Sequence, residues 1–305
     1  MSPPGPPALA ADPEYPTPPS APPSAPEAPP APLWLCLYLP QLPLEAQASR
    51  HVDGQPVAVY SEEGRHIGIV TVNGPASERG VRPGMPVNGA LALVPELLLE
   101  ARQPALESAA LSRLACWATR FTPAVSINPD NALLLEVQGS LRLFGGLAAL
   151  RRTLARGLRT RGHQARMACA PTARAALWLA RAGVEEPALT PVALRQVLAA
   201  IPVTQLGWPP RTVRTLLQMG LTRVGDCLRL PREGFARRLG PGRLRELDQA
   251  LGRHPEPQRP YEPPARFQAR LPLPAETTDA ALLLAGFSQL LQELHSALEG
   301  RQASV

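Results

Sequence analysis

The stretch VSINPDNALLLEVQGSLRLFGG, Val125 to Gly146, holds two carboxylates, Asp130 and Glu136, on either side of the apolar run Leu133 to Leu135. Carboxylates at the end of a buried strand are what a magnesium site uses, because that ion takes oxygen ligands in tight octahedral geometry. Asn131 and Ala132 follow Asp130 directly, and neither side chain replaces a carboxylate well. The stretch reads either as the edge of a metal-dependent site or as the remains of one. Its pattern predicts a buried strand, a turn at Gly139, and a second short strand through Leu141, Leu143 and Phe144.

A second group of residues points to phosphate. LLQMGLTRVGDCLRLP, Leu216 to Pro231, has the form of a helix-hairpin-helix. One helix ends near Met219, Gly220 takes the turn, Leu221 packs beneath it, and a second helix runs from Thr222 to Leu230. Such a hairpin aims backbone N–H groups and a helix N-terminus at a phosphate. Gly220, Arg223, Gly225, Arg229, Arg211 and Arg214 are the candidate DNA-binding residues, and Arg232, Arg237 and Arg238 add charge nearby. The contact would be indifferent to base sequence and strongly salt-dependent. The competing reading is a plain helical bundle with a solvated arginine face.

The composition agrees with an anionic partner. The chain has 31 basic side chains, all arginine, against 25 acidic ones. Its first 32 residues carry 14 of the 39 prolines, no arginine and three acids. The remaining 273 residues therefore hold 31 arginines against 22 acids, a net +9. A basic body favours a polyanion, nucleic acid first. A GC-rich coding bias explains the use of arginine for lysine better than it explains the excess charge. The four cysteines, Cys36, Cys116, Cys169 and Cys227, have no metal-site spacing and read as reduced, buried thiols. With five histidines and no HExxH pattern, a zinc enzyme is disfavoured. No apolar run reaches the roughly 18 residues of a membrane span. The expected location is the cytoplasm, in association with the nucleoid.

The elements that must position these residues are α+β. Residues 1–32 are a disordered, Pro-rich tail. LWLCLYLP is a buried strand, followed by a short helix, and PVAVYSEEGRHIGIVTVN is a hairpin. ALESAALSRLACWATRFTP is helical, with Leu106, Ala110, Leu114 and Trp117 on one face. LAALRRTLARGLRTRG is a basic amphipathic helix. QARMACAP is a strand and TARAALWLARAG a helix. This order is close to a ferredoxin-like core with an insertion.

In this order the pieces resemble the Y-family translesion DNA polymerases, over about Leu33 to Val305. GVRPGMP resembles the finger-domain signature GVRSGM, and LEVQGSLRLFGG the palm segment LDVTGS followed by LFG. ACAPTARAALWLAR resembles the segment GIAxNKxLAKxA, and MGLTRVGDCLRLP the thumb hairpin. The resemblance implies a palm in two parts (33–52 and 106–200), fingers (53–105), a helical thumb (201–262) and an incomplete little-finger domain (263–305). Only the first strand and helix of that last domain are expected, as in a C-terminally truncated chain.

Active members hold two divalent ions with three carboxylates. The resemblance puts Tyr38, Asn131 and Ala132 at those three positions. It puts Gly74, Ser77 and Leu177 where the triphosphate is clamped, and gives Glu136 a structural role. The expectation is a non-catalytic member without cofactor, holding primer-template or damaged DNA. The implied partners are an error-prone replicative-type polymerase, a RecA-like accessory protein and the sliding clamp. The resemblance puts the clamp-binding peptide beyond Val305; QLPLE at Gln41 superficially resembles such a peptide but follows a core strand and reads as structure, so clamp binding is not expected of this chain. Two alternatives stand beside this reading. One is an active polymerase with relocated ligands, Asp130 and Glu45, that still uses magnesium. The other is a non-functional fragment.

Overall fold

The computed structural model describes residues 31–47, 54–63, 66–263 and 278–302. Residues 1–30 of the expected Pro-rich tail lie outside them. So does the expected strand at 266–273.

The elements are β1 (Trp34–Tyr38), α1 (Leu42–Glu45), β2 (Val57–Glu63), β3 (His66–Val72), α2 (Gly74–Glu78), α3 (Val87–Leu93), β4 (Leu98–Ala101), α4 (Pro104–Ala118), β5 (Val125–Asn128), β6 (Ala132–Glu136), α5 (Leu147–Thr160), β7 (Arg166–Ala170) and α6 (Ala173–Ala182), then α7 (Pro191–Ala200), α8 (Pro210–Gln218), α9 (Val224–Arg229), α10 (Arg232–Leu239), α11 (Pro241–Ala250) and α12 (Ala280–Gln302).

A four-stranded sheet in the order β5-β6-β1-β7 lies at the centre, each neighbouring pair antiparallel. β1 is covered on both faces, so it reads as a continuous apolar run rather than an alternating one. Leu35 and Leu37 face a core built with Leu111, Leu114 and Trp117 of α4 and Leu150, Leu154 and Leu158 of α5. Cys36 faces the other core, with α6 and the later helices. On that side Trp178, Trp208 and Phe235 form a chain of aromatic contacts. This chain fastens the helical segment to the sheet through α6.

The inserted segment has a core of its own. β3, β2 and β4 form a second sheet around Ala58, Ile69 and Val72, with Val81, Ala90 and Val94 from the surrounding loops and α3. β4 pairs parallel to β2.

The predicted turn at Gly139 is corrected. β5 and β6 are the hairpin, and the turn is Pro129-Asp130-Asn131, with Asn131 in the left-handed region at φ 56°. Asparagine tolerates that conformation better than most residues. After Glu136 the chain makes a 3₁₀ turn over Gln138–Ser140, not a strand. Leu141 and Phe144 pack on the core of α4 and α5 while Leu143 is 80% exposed, so the segment does not alternate as a strand would.

Candidate functional site

The sheet register brings the predicted metal positions together. Tyr38, the last residue of β1, stands directly opposite Ala132, the first of β6. The Asn131 carbonyl accepts a hydrogen bond from the Leu39 amide at 2.8 Å. Residues separated by some ninety positions in sequence thus share one end of the sheet. What meets there is a phenol, an amide and a methyl group.

The acids nearby are committed elsewhere. Asp130 pairs with Arg181 Nη2 at 2.8 Å. Glu45 accepts from the Gln164 amide at 3.0 Å and meets His163 Nδ1 at 2.8 Å. The pair Asp130 and Glu45, the relocated ligand set of the alternative reading, is therefore split between two partners. Glu136 is structural, as expected: its Oε1 accepts from the amides of Leu33 and Gln138. Among the described residues no three His, Cys, Asp or Glu side chains gather in a way that could hold a metal ion. This donor set does not fit a pair of magnesium ions.

The residues that the resemblance puts at the triphosphate clamp are themselves uncharged, and a cation, Arg82, reaches one of them. Gly74 opens α2 and is exposed, and Leu177 is buried in the α6 core. Ser77 accepts from the Arg82 guanidinium, through its carbonyl and through its hydroxyl at 3.1 Å.

Sequence reasoning missed one residue here, Arg181. It lies one turn beyond Leu177 on α6. Its guanidinium carbon is 5.7 Å from the centroid of the Tyr38 ring. The only signal in the sequence is a basic residue in the last turn of a helix, which usually reads as a favourable dipole charge.

In the helical segment, α8 and α9 are joined through Gly220, which takes φ +75° and spares any side chain the strain of that conformation. Arg211, Arg214 and Arg223 are exposed, with no ion-pair partner among the described residues. Arg229 differs, because its Nη2 pairs with Asp226 Oδ1 at 2.7 Å. The other Asp226 oxygen accepts from the amides of Arg223 at 2.9 Å and Thr222 at 3.0 Å. The Arg223 amide, ahead of the other donors, holds the Asp226 carboxyl below its ordinary range. Two of the amides expected to face a phosphate are thus already taken. Gly225 does not face outward either. A Cβ there would lie 2.9 Å from the Ala199 carbonyl, so its bare Cα lets α7 and α9 pack closely.

Tyr38, Asn131 and Ala132 thus share one end of the central sheet with no carboxylate among them. Residues 42–181 match the impB/mucB/samB family. Over 173 residues the chain is 41% identical to the protein ImuB of Caulobacter vibrioides, in two strains alike. That match covers 57% of this chain and 38% of the relative, so the chain spans well under half the length of the curated relatives it matches. Among solved structures, the insertion ternary complex of Dbh DNA polymerase superposes with a TM-score of 0.60 at 17% identity, covering 74% of this chain and 69% of that one. DinB from Sulfolobus solfataricus superposes with a TM-score of 0.58 over the same shares. At this identity the structural likeness shows the fold. Among the described residues no helix is long and apolar enough to cross a membrane.

Proposed function

We propose that this chain is a non-catalytic, DNA-binding accessory protein of translesion synthesis. In this reading it serves damage-induced mutagenesis and DNA repair of the SOS type, in the cytoplasm on nucleoid DNA. The single observation that carries the proposal is the register that sets Tyr38 against Ala132 beside Asn131. Those positions would need carboxylates for two-metal phosphoryl transfer. A second observation supports it: the acids nearest to them, Asp130 and Glu45, already have partners.

The exposed Arg211, Arg214 and Arg223 supply the DNA contact as point charges on phosphates, with the Gly220 turn fixing where they project. The sheet and its helices act as a rigid body that carries this surface. Synthesis then falls to a separate error-prone, replicative-type polymerase recruited by the chain. A RecA-like accessory protein (ImuA) completes the proposed partners, in line with the likeness to ImuB.

Fluorescence anisotropy with labelled primer-template tests the DNA arm, and addition of the partner polymerase tests recruitment. The expected result is sequence-independent binding that weakens steeply with salt, and a further rise in anisotropy with the polymerase. Absence of DNA binding at low salt would refute the proposal.

A further inference from the structure

The group found beside the metal-ligand positions is itself a cation. The Arg181 side chain is only 10% exposed. Its guanidinium faces the Tyr38 ring and pairs with Asp130, the residue just before Asn131. A cation over an aromatic face is attracted by the ring quadrupole, more so when both are desolvated. The carbonyl of Arg181 accepts from Arg166 Nη1 at 3.2 Å, and Arg166 lies opposite Tyr38 on the other side of β1. One residue of α6 is thereby tied to β1, to the β5–β6 turn and to β7.

A fourth contact reaches the helical segment. Gly207 lies between α7 and α8 with φ +70°, and a Cβ placed on it would overlap the Arg181 guanidinium. The backbone thus closes directly over the charge. Arg181 Nε and Nη1 are fully covered and have no hydrogen-bond partner among the described residues. A buried charge left uncompensated is strongly destabilising. The side chain is therefore held by Asp130 and the Tyr38 face rather than by a full set of hydrogen bonds.

We propose that Arg181, paired with Asp130, is an internal cation that takes the place of the divalent ions and latches the segment at Gly207 onto the sheet without metal. The proposal rests on reading Tyr38, Asn131 and Ala132 as the former ligand positions. It also goes beyond that reading, because it names what stops carboxylates alone from rebuilding the site.

The experiment measures Mn²⁺ binding by loss of the free-ion EPR signal, on the full chain and three variants, each checked for a cooperative melt. Asn131→Asp with Ala132→Glu is expected to bind no more Mn²⁺ than the parent, because Arg181 still occupies the site. Adding Arg181→Met to that pair is expected to create one Mn²⁺ site. Arg181→Met alone is expected to bind none. A stoichiometric site in the double variant with Arg181 intact would overturn the proposal. No site in the triple variant would instead overturn the ligand register on which it rests. If the triple variant fails to melt cooperatively, the pair is tested by itself. Asp130→Asn and Arg181→Met should each lower the midpoint by several degrees, and together by no more than the worse single change. Additive losses would refute the latch.

Discussion

Removing Arg211, Arg214 and Arg223 together should change how DNA binding responds to salt, by an amount that can be worked out. All three side chains are exposed and have no ion-pair partner among the described residues, so each is free to neutralise one phosphate. Each such contact on duplex DNA contributes about −0.9 to the slope of log K against log salt concentration. Replacing three with alanine should therefore flatten that slope by up to about 2.7. Between roughly 50 and 200 mM salt, a fourfold rise, the advantage of the parent protein over the variant should shrink by about 40-fold. Arg229→Ala is the internal control. Its charge is already balanced by Asp226, so it should flatten the slope far less than any of the other three. Anisotropy titrations with a duplex at several salt concentrations read both quantities. An unchanged slope in the triple variant would place the DNA elsewhere on the protein. So would an Arg229→Ala effect as large as that of Arg223→Ala.

The remaining predictions concern the scaffold. Gly225→Ala should overlap Ala199 and cost about 1–3 kcal/mol, as overpacking does, while the folded protein keeps its affinity for DNA. Thermal melting and anisotropy on the same sample would separate these effects. Hydrogen bonds from Arg232, at 2.6 and 2.8 Å, hold the Asp248 carboxyl below its ordinary range. A depressed carboxylate adds stability above its unfolded value of about 3.9 that is lost as pH falls through the folded one. Asp248→Asn should therefore flatten the acid limb of the stability curve, and an unchanged limb would refute this assignment. Burial pushes the Cys169 and Cys227 thiols up to about 11 and Cys36 higher still, while Cys116 is only half-buried. A thiol reagent should thus titrate Cys116 alone in the native protein, and fast labelling of a second cysteine would contradict it.

The central sheet was legible because its signals are local. Leu33 to Leu39 is a continuous apolar run, and Leu106, Ala110, Leu114 and Trp117 repeat at helical spacing. Even the meeting of Tyr38 with Ala132 could be anticipated from family-like motifs far apart in the chain. The hairpin turn was misplaced because Gly139 is the stronger turn former on paper. The actual turn uses Pro129 and a left-handed Asn131, and it lets β5 pair with β6 along its whole length. β4 was missed because its four residues become a strand only through parallel pairing with β2, some forty positions earlier. Arg181 could not be read at all. Its role depends on Asp130, Tyr38 and the bare Cα of Gly207, three positions that no periodicity links. Gly225 looked like part of a phosphate-facing turn, yet its lack of a side chain serves helix packing.

The measurement that most directly tests the central claim is primer extension by the whole chain. It is done on primer-template already shown to be bound, with all four nucleotides, first in magnesium and then in manganese. An active Y-family polymerase runs beside it as control. The account predicts bound DNA and no incorporation in either metal while the control extends. Incorporation above background by this chain would contradict it, and would mean that carboxylates elsewhere than positions 38, 131 and 132 support catalysis.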